Sequence, residues 1–232
     1  TGLFIDSGPV VQVRDARGRT SVNRDPDKGI AYAGPLAVIV DRNSASASEI
    51  VAAALQDYGR AVVGGSKSTH GKGPVQTVLP LSNWERIKDP GKLKLTISKF
   101  YRVAGGTTQK QGVTPDIILP TPYDYMDIGE ATLPNSLAAD HTAPLNYRKL
   151  NRVNDYVQKL TTQSDERIKT DQDFAYIINY FITLKKRLLD KSLSLNESER
   201  LREKDEEKEK REARKKERKE RGKPEETVYD LT

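Results

Sequence analysis

LAVIVDRNSASASEIVAAALQDYGRAVV, residues 36–63, combines two kinds of hydrophobic pattern in one short stretch. Residues 36–41 are apolar on both faces, which is typical of a buried strand in an α/β sheet. Residues 46–58 then place Ile50, Val51, Ala54 and Leu55 at helical spacing, and Gly59 provides a stop signal. Because residues 61–63 return to a β-rich run, we predict a strand, a helix and a strand in that order.

Further β-rich runs lie on both sides of this stretch, at residues 10–15, 75–81, 92–103 and 113–119. Gly105 and Gly106 are a hairpin-turn signal, so we expect residues 113–119 to return as an edge strand, where Pro115 is tolerated. The predicted fold class is therefore α/β, with a globular core that ends near residue 120.

The remainder of the chain changes in composition. Residues 121–145 contain several prolines and scattered aromatics, which predicts an ordered linker on the core surface. From residue 146 apolar side chains recur at helical spacing in two segments, which predicts a helical hairpin. Residues 197–221 are charged except at Ser198, Leu201 and Ala213, so they form either a solvated helix, started by Asn196 and Glu199, or a disordered tail. We divide the chain into residues 1–120, 121–145 and 146–232.

Composition excludes several classes of site. The 232 residues contain no cysteine, which excludes thiol catalysis, disulfides and cysteine-ligated zinc, and the two histidines are too few for a metal cluster. We therefore expect no metal and no cofactor.

No apolar run reaches the roughly 18 residues needed to span a bilayer, which leaves membrane association open. The chain begins without Met and without a basic, apolar leader, so we interpret it as the interior of a longer chain.

The first strand-to-helix junction carries a candidate nucleophile. Ser44, Ser46 and Ser48 alternate with alanines where a helix begins, and the free N–H groups there stabilise a developing alkoxide or oxyanion. The simpler interpretation is structural, because Ser46 and Glu49 also match a capping box. Lys72, between two glycines in a loop after the next strand, favours catalysis. A lysine accepts a proton from serine only when neutral, a form that burial away from carboxylates favours.

Three other mechanisms fit this loop less well. A phosphate-binding loop requires glycine at the position of Ser66 and Ser or Thr at the position of Gly73. A Ser46–His70–Asp57 triad fails because Asp57 lies about three helical turns beyond Ser46. The Ser-x-x-Lys signature of β-lactam-binding enzymes is absent near each candidate serine.

Three segments together resemble the protease core of the tail-specific, or C-terminal processing, peptidases. They are VDRNSASASEIVAAALQDYGRAVV, GKGPVQ and FYRVAGGTTQKQGVTPDIILP, and they match the family in order and spacing. The resemblance covers residues 1–120 closely. The resemblance is nearest to the long Gram-negative periplasmic branch. It implies a crotonase-like (ClpP/crotonase) α/β core followed by an α-helical C-terminal region.

The same resemblance implies roles for individual residues. Ser46 is the nucleophile, Lys72 the general base, and Gln76 the residue that holds the lysine. The backbone N–H of Ala47 belongs to the oxyanion hole, and Asp57 matches an acidic position for which we expect a supporting, structural role. The loop between the Ser46 helix and Lys72 is about one residue longer than we expect for close relatives.

The implied activity is that of a periplasmic serine endopeptidase with a Ser/Lys dyad, which degrades or processes proteins from apolar C-terminal tails. Its partners are protein or peptide substrates with apolar C-termini and an adaptor protein bound through the helical region. The family also has a PDZ domain and a glycine-rich turn that supplies a second oxyanion donor, and both are missing from these residues. We therefore expect the chain alone to be inactive or nearly so.

Two functions of other classes are alternatives. The chain could be a non-catalytic, crotonase-like scaffold for protein binding, against which the intact set of Ser46, Lys72 and Gln76 argues. It could also bind nucleic acid, because the net charge is +6 and the isoelectric point about 9.3. Residues 197–221, however, carry 12 basic and 10 acidic residues, a balance that does not suit a phosphate-tracking surface, so we predict no nucleic acid partner.

Overall fold

The structure is a computed structural model that describes residues 1–81, 89–190 and 192–224. Among these described residues, seven strands and one α-helix precede residue 119, and three further α-helices follow after residue 150. The predicted fold class, an α/β core followed by an α-helical region, is confirmed. Residues 225–232 of the predicted helical region lie outside the described residues.

One sheet is antiparallel and has the order β2-β1-β6-β5. It contains β1 (Gly8–Asp15), β2 (Thr20–Asp25), β5 (Pro74–Pro80) and β6 (Lys92–Tyr101). β2 lies outside the predicted strands, because TSVNRD has no alternation of apolar residues and four of its six side chains are exposed. Backbone pairing with β1 holds this edge strand in place.

The second sheet is parallel, with β4 (Val62–Gly65) between β3 (Ala37–Val40) and β7 (Ile117–Ile118). The helix α1 (Ala47–Asp57) connects β3 to β4, as the sequence predicts. The expectation that β3 is buried on both faces is wrong. Since β3 is an edge strand, Ile39 is 72% exposed, and only Val40 is buried.

The expected return of residues 113–119 as an edge strand is confirmed for β7, which lies at the edge of the parallel sheet, but the pairing of this strand with β6 in a hairpin is wrong. Gly105 does make a turn, but the hairpin closes with a single bridge between Tyr101 and Thr107. The chain then crosses to the other sheet, where the two residues of β7 pair in parallel with β4. This crossing brings residues 107–112 against the loop that carries Lys72.

The core lies on both sides of α1. One cluster packs Leu55 and Tyr58 against Ile5, Ala61 and Val103. The other packs the α1 alanines at 52 and 53 against Val40, Val63 and Val113. A helix that is packed on two sides cannot shift without disturbing both clusters, so α1 is a rigid support for the residues at its N-terminus.

The structure divides into two compact units, Thr1–Lys185 and Lys186–Thr232. In the first unit, residues 121–145 contain two short 3-10 helices, Pro122–Tyr125 and Glu130–Thr132, and α2 (Asn154–Thr170) follows. The extended residue Asp171 separates α2 from α3 (Gln172–Asp190), within which the boundary between the units falls. In the second unit, α4 (Glu197–Glu220) is helical, and the Asn196 side chain caps it by accepting from Glu199 N–H, 3.3 Å. The helical-hairpin arrangement of α2 and α3 stays a prediction.

In the described part of the chain, none of the helices combines the length and the apolar character needed to cross a membrane.

Candidate active site

A tight turn connects β3 to α1 and sets the position of Ser46. Asp41, directly after β3, accepts hydrogen bonds through Oδ1 from the N–H groups of Asn43 and Ser44, at 2.9 and 3.0 Å. This local side-chain turn reverses the chain before the helix begins. Ser46 therefore lies at the junction of a strand end and a helix N-terminus.

Ser46 has an unusual backbone conformation, with φ 56° and ψ −108°. An ordinary capping serine has extended backbone angles, and a non-glycine residue at positive φ costs roughly 1–3 kcal/mol. Sharp, strained strand-to-helix turns of this kind present nucleophilic serines in other hydrolases. The Ser46 hydroxyl makes no capping hydrogen bond of standard geometry, although Ser46 and Glu49 have the capping-box arrangement.

The Glu49 carboxylate joins the two candidate catalytic segments. Its side chain is fully buried, and Oε1 accepts from the Thr69 hydroxyl and from Gly71 N–H, at 2.5 and 2.7 Å. Its Oε2 accepts from the N–H groups of Ser46 and Lys72, at 2.8 and 3.0 Å. Because one oxygen atom binds both backbone nitrogens, Ser46 and Lys72 are adjacent in space.

The turn that carries Lys72, residues 70–73, has every backbone N–H and C=O group hydrogen-bonded. The N–H groups of His70, Gly71, Lys72 and Gly73 donate, in that order, to the Ser44 carbonyl, Glu49 Oε1, Glu49 Oε2 and Gln109 Oε1. The carbonyl groups of the same four residues accept, in that order, from Glu130 N–H, Lys110 N–H, the Thr108 hydroxyl and Phe100 N–H. We call this segment the Lys72 turn. Complete hydrogen bonding fixes a loop that would otherwise be free to move.

Lys72 itself is half-buried. No carboxylate among the described residues forms an ion pair with its Nζ. The glycines on either side are required, because a Cβ at Gly71 would lie 3.0 Å from the Lys110 carbonyl carbon and one at Gly73 2.9 Å from Gln109 Cβ.

The other predicted site residues are placed as follows. Ala47 is the first residue of α1, and its N–H donates no hydrogen bond to another described residue, so it is available to an oxyanion. Gln76 lies on β5, where the pairing with β6 has a register shift between Val75 and Gln76, and its side chain is exposed. Across residues 1–81, 89–190 and 192–224, Gln76 makes no side-chain hydrogen bond, to Lys72 or to another residue.

Asp57 and His70 point to different neighbours. The Asp57 carboxylate is nearly buried and forms an ion pair with Arg102, whose Nε lies 3.2 Å from both oxygens. The His70 Nε2 instead lies 4.0 Å from Glu130 Oε2. The structure thus places Asp57 in a pair that joins α1 to the end of β6, and not beside His70.

Within the described residues no group of three or more potential metal ligands occurs.

Glu49, Gln109 and Glu130 are contacts of the Lys72 turn that the sequence does not predict. Glu49 was interpreted only as the second half of a capping box, because its contacts with residues 69–72 bridge about twenty residues of intervening chain. Gln109 and Glu130 are buried polar residues, 0% and 8% exposed. Gln109 follows a run of small or polar residues, and Glu130 lies in the segment predicted as a linker, so neither position predicts burial.

A comparison with protein families identifies the family of the chain. Residues 1–119 match the model described as peptidase family S41. The chain belongs to peptidase family S41. Residues 123–231 of this S41 chain match the model described as the C-terminal domain of tail-specific protease. The predicted family, that of the tail-specific or carboxy-terminal processing proteases, is therefore confirmed.

Curated relatives of this S41 chain include the tail-specific protease of Haemophilus influenzae, 41% identical over 88% of this chain and 30% of the relative. Another is the carboxy-terminal-processing protease of Bartonella bacilliformis, 38% identical over 57% of this chain and 31% of the relative. A solved structure, the photosystem II D1 C-terminal processing protease, is 35% identical over 51% of this chain and 29% of its own, with a TM-score of 0.45. The chain thus spans about a third of the length of the relatives it matches.

Proposed function

We propose that Ser46 and Lys72 form the catalytic dyad of a serine endopeptidase. The observation that carries the proposal is the shared contact of both residues with Glu49 Oε2, which brings their backbones together at the N-terminus of α1. The strained backbone of Ser46 and the absence of an ion pair for Lys72 among the described residues also support it.

The reaction follows from these positions. Neutral Lys72 takes the proton from Ser46 Oγ as the oxygen attacks the peptide carbonyl carbon. The carbonyl oxygen becomes an oxyanion beside the Ala47 N–H and the positive end of α1. The C–N bond then breaks as protonated Lys72 gives its proton to the leaving amine. A water molecule, deprotonated by Lys72, hydrolyses the acyl-enzyme and releases Ser46.

The substrates that we propose are proteins with apolar C-terminal tails, in the periplasm, with an adaptor bound through the helical region. The names of the relatives from Haemophilus influenzae and Bartonella bacilliformis support a role at the carboxyl terminus of substrates. The apolar preference, the periplasm and the adaptor rest on the resemblance of the three sequence segments to that family. Gln76 is proposed to hold Lys72 when substrate is bound.

The test uses the protein expressed with all of the sequence that its gene encodes. Two otherwise identical reporter proteins, one with an apolar and one with a charged C-terminal tail, are incubated with wild type, Ser46→Ala and Lys72→Ala. We expect cleavage of the apolar-tailed reporter by wild type only, and covalent labelling by a fluorophosphonate at Ser46 only. Exposed neighbours provide the matched controls Ser48→Ala and Lys67→Ala, which should keep full activity.

The possible results separate the alternatives. Activity in Lys72→Ala together with its loss in His70→Ala would replace the dyad with a histidine-dependent mechanism. Tight binding of the apolar-tailed reporter by wild type, with neither cleavage nor labelling, would favour a non-catalytic scaffold. Equal cleavage of both reporters would refute the preference for apolar tails but keep the endopeptidase.

A further inference from the structure

The linker segment, residues 121–145, reaches the Lys72 turn through Glu130. The Glu130 N–H donates to the carbonyl of His70 at 2.9 Å, and Glu130 Oε2 lies 4.0 Å from His70 Nε2. Its Oε1 accepts from Gln109 Nε2 at 3.3 Å. Glu130 is 8% exposed, so its carboxylate is directed into the protein.

Gln109 transmits this contact to the other end of the turn. Its Oε1 accepts from Gly73 N–H at 2.9 Å, whereas its Nε2 donates to Glu130 and to the Leu137 carbonyl, the latter at 2.9 Å. Glu130 and Leu137 are acceptors, so they orient the amide with its oxygen toward Gly73. Gln109 is fully buried, so if its amide turned over, the Gly73 N–H would face an NH₂ group and Glu130 Oε1 would face a carbonyl oxygen.

A close backbone approach makes these contacts possible. Gly129 has φ +128°, and a Cβ there would lie 2.9 Å from both the His70 carbonyl oxygen and Arg42 Nη2. Arg42, on the Ser46 side of the site, donates to the carbonyl groups of Ile128 and Thr69. The linker segment is therefore bound both to Arg42, in the turn between β3 and α1, and to the Lys72 turn.

We propose that Glu130 is a positioning residue for Lys72, so that the region after the peptidase core completes the active site. One end of the Lys72 turn is held by the Glu130 backbone at His70, and the other by the Glu130 side chain acting through Gln109 at Gly73. Glu130 contacts neither substrate nor the reacting atoms in this account. The inference rests on the proposed function, in which Lys72 is the general base.

The effect of losing the Glu130 carboxylate follows from this arrangement. Without it the NH₂ group of Gln109 keeps only the Leu137 carbonyl as an acceptor, so the amide is held less firmly, the hydrogen bond from Gly73 N–H to Gln109 Oε1 weakens, and Lys72 can move relative to Ser46. Small displacements of a catalytic group reduce the rate by up to about a hundredfold. Substrate binding does not use this turn in the proposed mechanism, so KM should change little.

The experiment measures kcat and KM on an apolar-tailed reporter for the protein expressed with all of the sequence that its gene encodes. We expect Glu130→Ala to lower kcat by roughly tenfold to a hundredfold with KM unchanged. Glu130→Gln retains an amide oxygen for Gln109 and should restore kcat to within about threefold of wild type. Asp127→Ala, an exposed carboxylate three residues earlier, is the matched control and should leave kcat unchanged. Hydrogen exchange at the Gly73 amide should be faster in Glu130→Ala alone.

Ser46→Ala is measured in the same assay to separate the two proposals. If Ser46→Ala is inactive and Glu130→Ala keeps wild-type kcat and Gly73 exchange, the positioning role is wrong and the dyad stands. If Ser46→Ala is active, the dyad is wrong and the positioning role is refuted with it. A loss of kcat in Glu130→Ala that Glu130→Gln does not restore would also overturn it. If Glu130→Ala does not fold, Glu130→Asp, which withdraws the carboxylate by one methylene, must show the same loss of kcat.

Discussion

At the scale of single residues, Glu49 is the polar group on which the site depends most. Its carboxylate accepts four hydrogen bonds and is fully buried. In Glu49→Gln an NH₂ group would face two of those donors, so we expect a loss of about 1–3 kcal/mol in the free energy of unfolding. Labelling of Ser46 by a fluorophosphonate should fall more than about tenfold.

Urea denaturation measures the first effect and labelling kinetics the second. Glu166→Gln, on the exposed side of α2, is the matched control and should change neither. Wild-type stability in Glu49→Gln would mean that the four donors find other partners, and the account of Glu49 would then be wrong.

The backbone of Ser46 gives a second prediction at this scale. At φ 56° a glycine relieves strain that an alanine keeps. Ser46→Gly should therefore be more stable than Ser46→Ala by about 1 kcal/mol, after allowance for the greater unfolded-state entropy of glycine. Ser48, inside α1, provides the control, because there glycine should be less stable than alanine by about 1 kcal/mol. Chemical denaturation of the four variants tests the prediction, and the same sign at both positions would contradict it.

Single residues also show where sequence reasoning succeeds and stops. Ser46 and Lys72 could be selected because each lies in a short pattern with a chemical meaning. Glu49 lies three residues from Ser46, so the capping box could be predicted. Its bonds to the Lys72 turn could not, because they depend on how α1 and the loop after β4 pack.

At the scale of elements, the linker segment is held to the antiparallel sheet by Asp140. Its carboxylate forms ion pairs with Arg14, from β1, and with Lys99, from β6, and accepts from the Tyr101 hydroxyl. Burial alone would raise the pKa of Asp140, but the hydrogen bonds from Lys99 and Tyr101 and the charges of Lys99 and Arg14 outweigh it and lower the pKa below its ordinary value of 3.8. The ionised form is therefore favoured in the folded state.

This shift predicts the pH dependence of stability. A carboxylate with a lowered folded-state pKa contributes stability above its ordinary pKa and loses that contribution as the pH falls through the folded-state value. The difference in unfolding free energy between wild type and Asp140→Asn should thus be constant above about pH 5 and shrink below about pH 4. Urea denaturation between about pH 3 and 7 measures it, with Asp127→Asn as the exposed control. A difference that does not vary with pH would contradict the assignment.

Elements were predicted best where local pattern and tertiary role agree. α1 and β4 agree with their predicted positions, because their apolar residues face the core. β2 depends on its pairing with β1, and its own residues contain no strong pattern. Residues 113–119 are a β-rich run, but the run does not reveal that β7 pairs with the distant strand β4. Ile39 was assigned to a buried strand because an apolar residue does not reveal whether its strand lies at the edge of a sheet.

At the scale of the whole molecule, the break in composition along the sequence corresponds to a difference in packing. The compact core of the first unit is built by apolar residues from both sheets and α1, whereas α4 has no buried residue. The sequence could not distinguish a solvated helix from a disordered tail in this segment. The two differ only by the small free energies of local charge pairs, among them Arg200–Glu203, Arg202–Glu206 and Lys215–Glu212.

Because α4 depends on such pairs, its stability should differ sharply from that of α1. Each exposed pair contributes about 0.3–0.5 kcal/mol, so we expect α4 amides to open with a free energy of about 1 kcal/mol or less. The α1 amides, which lie between two apolar clusters, should approach the global unfolding free energy, typically about 5–15 kcal/mol. Hydrogen exchange resolved by segment measures both helices in one sample. In 1 M NaCl, where the screening length is about 3 Å, exchange in α4 should accelerate while that in α1 should not. Equal protection of the two helices, or a salt effect confined to α1, would mean that α4 is held by packing and not by its own charges.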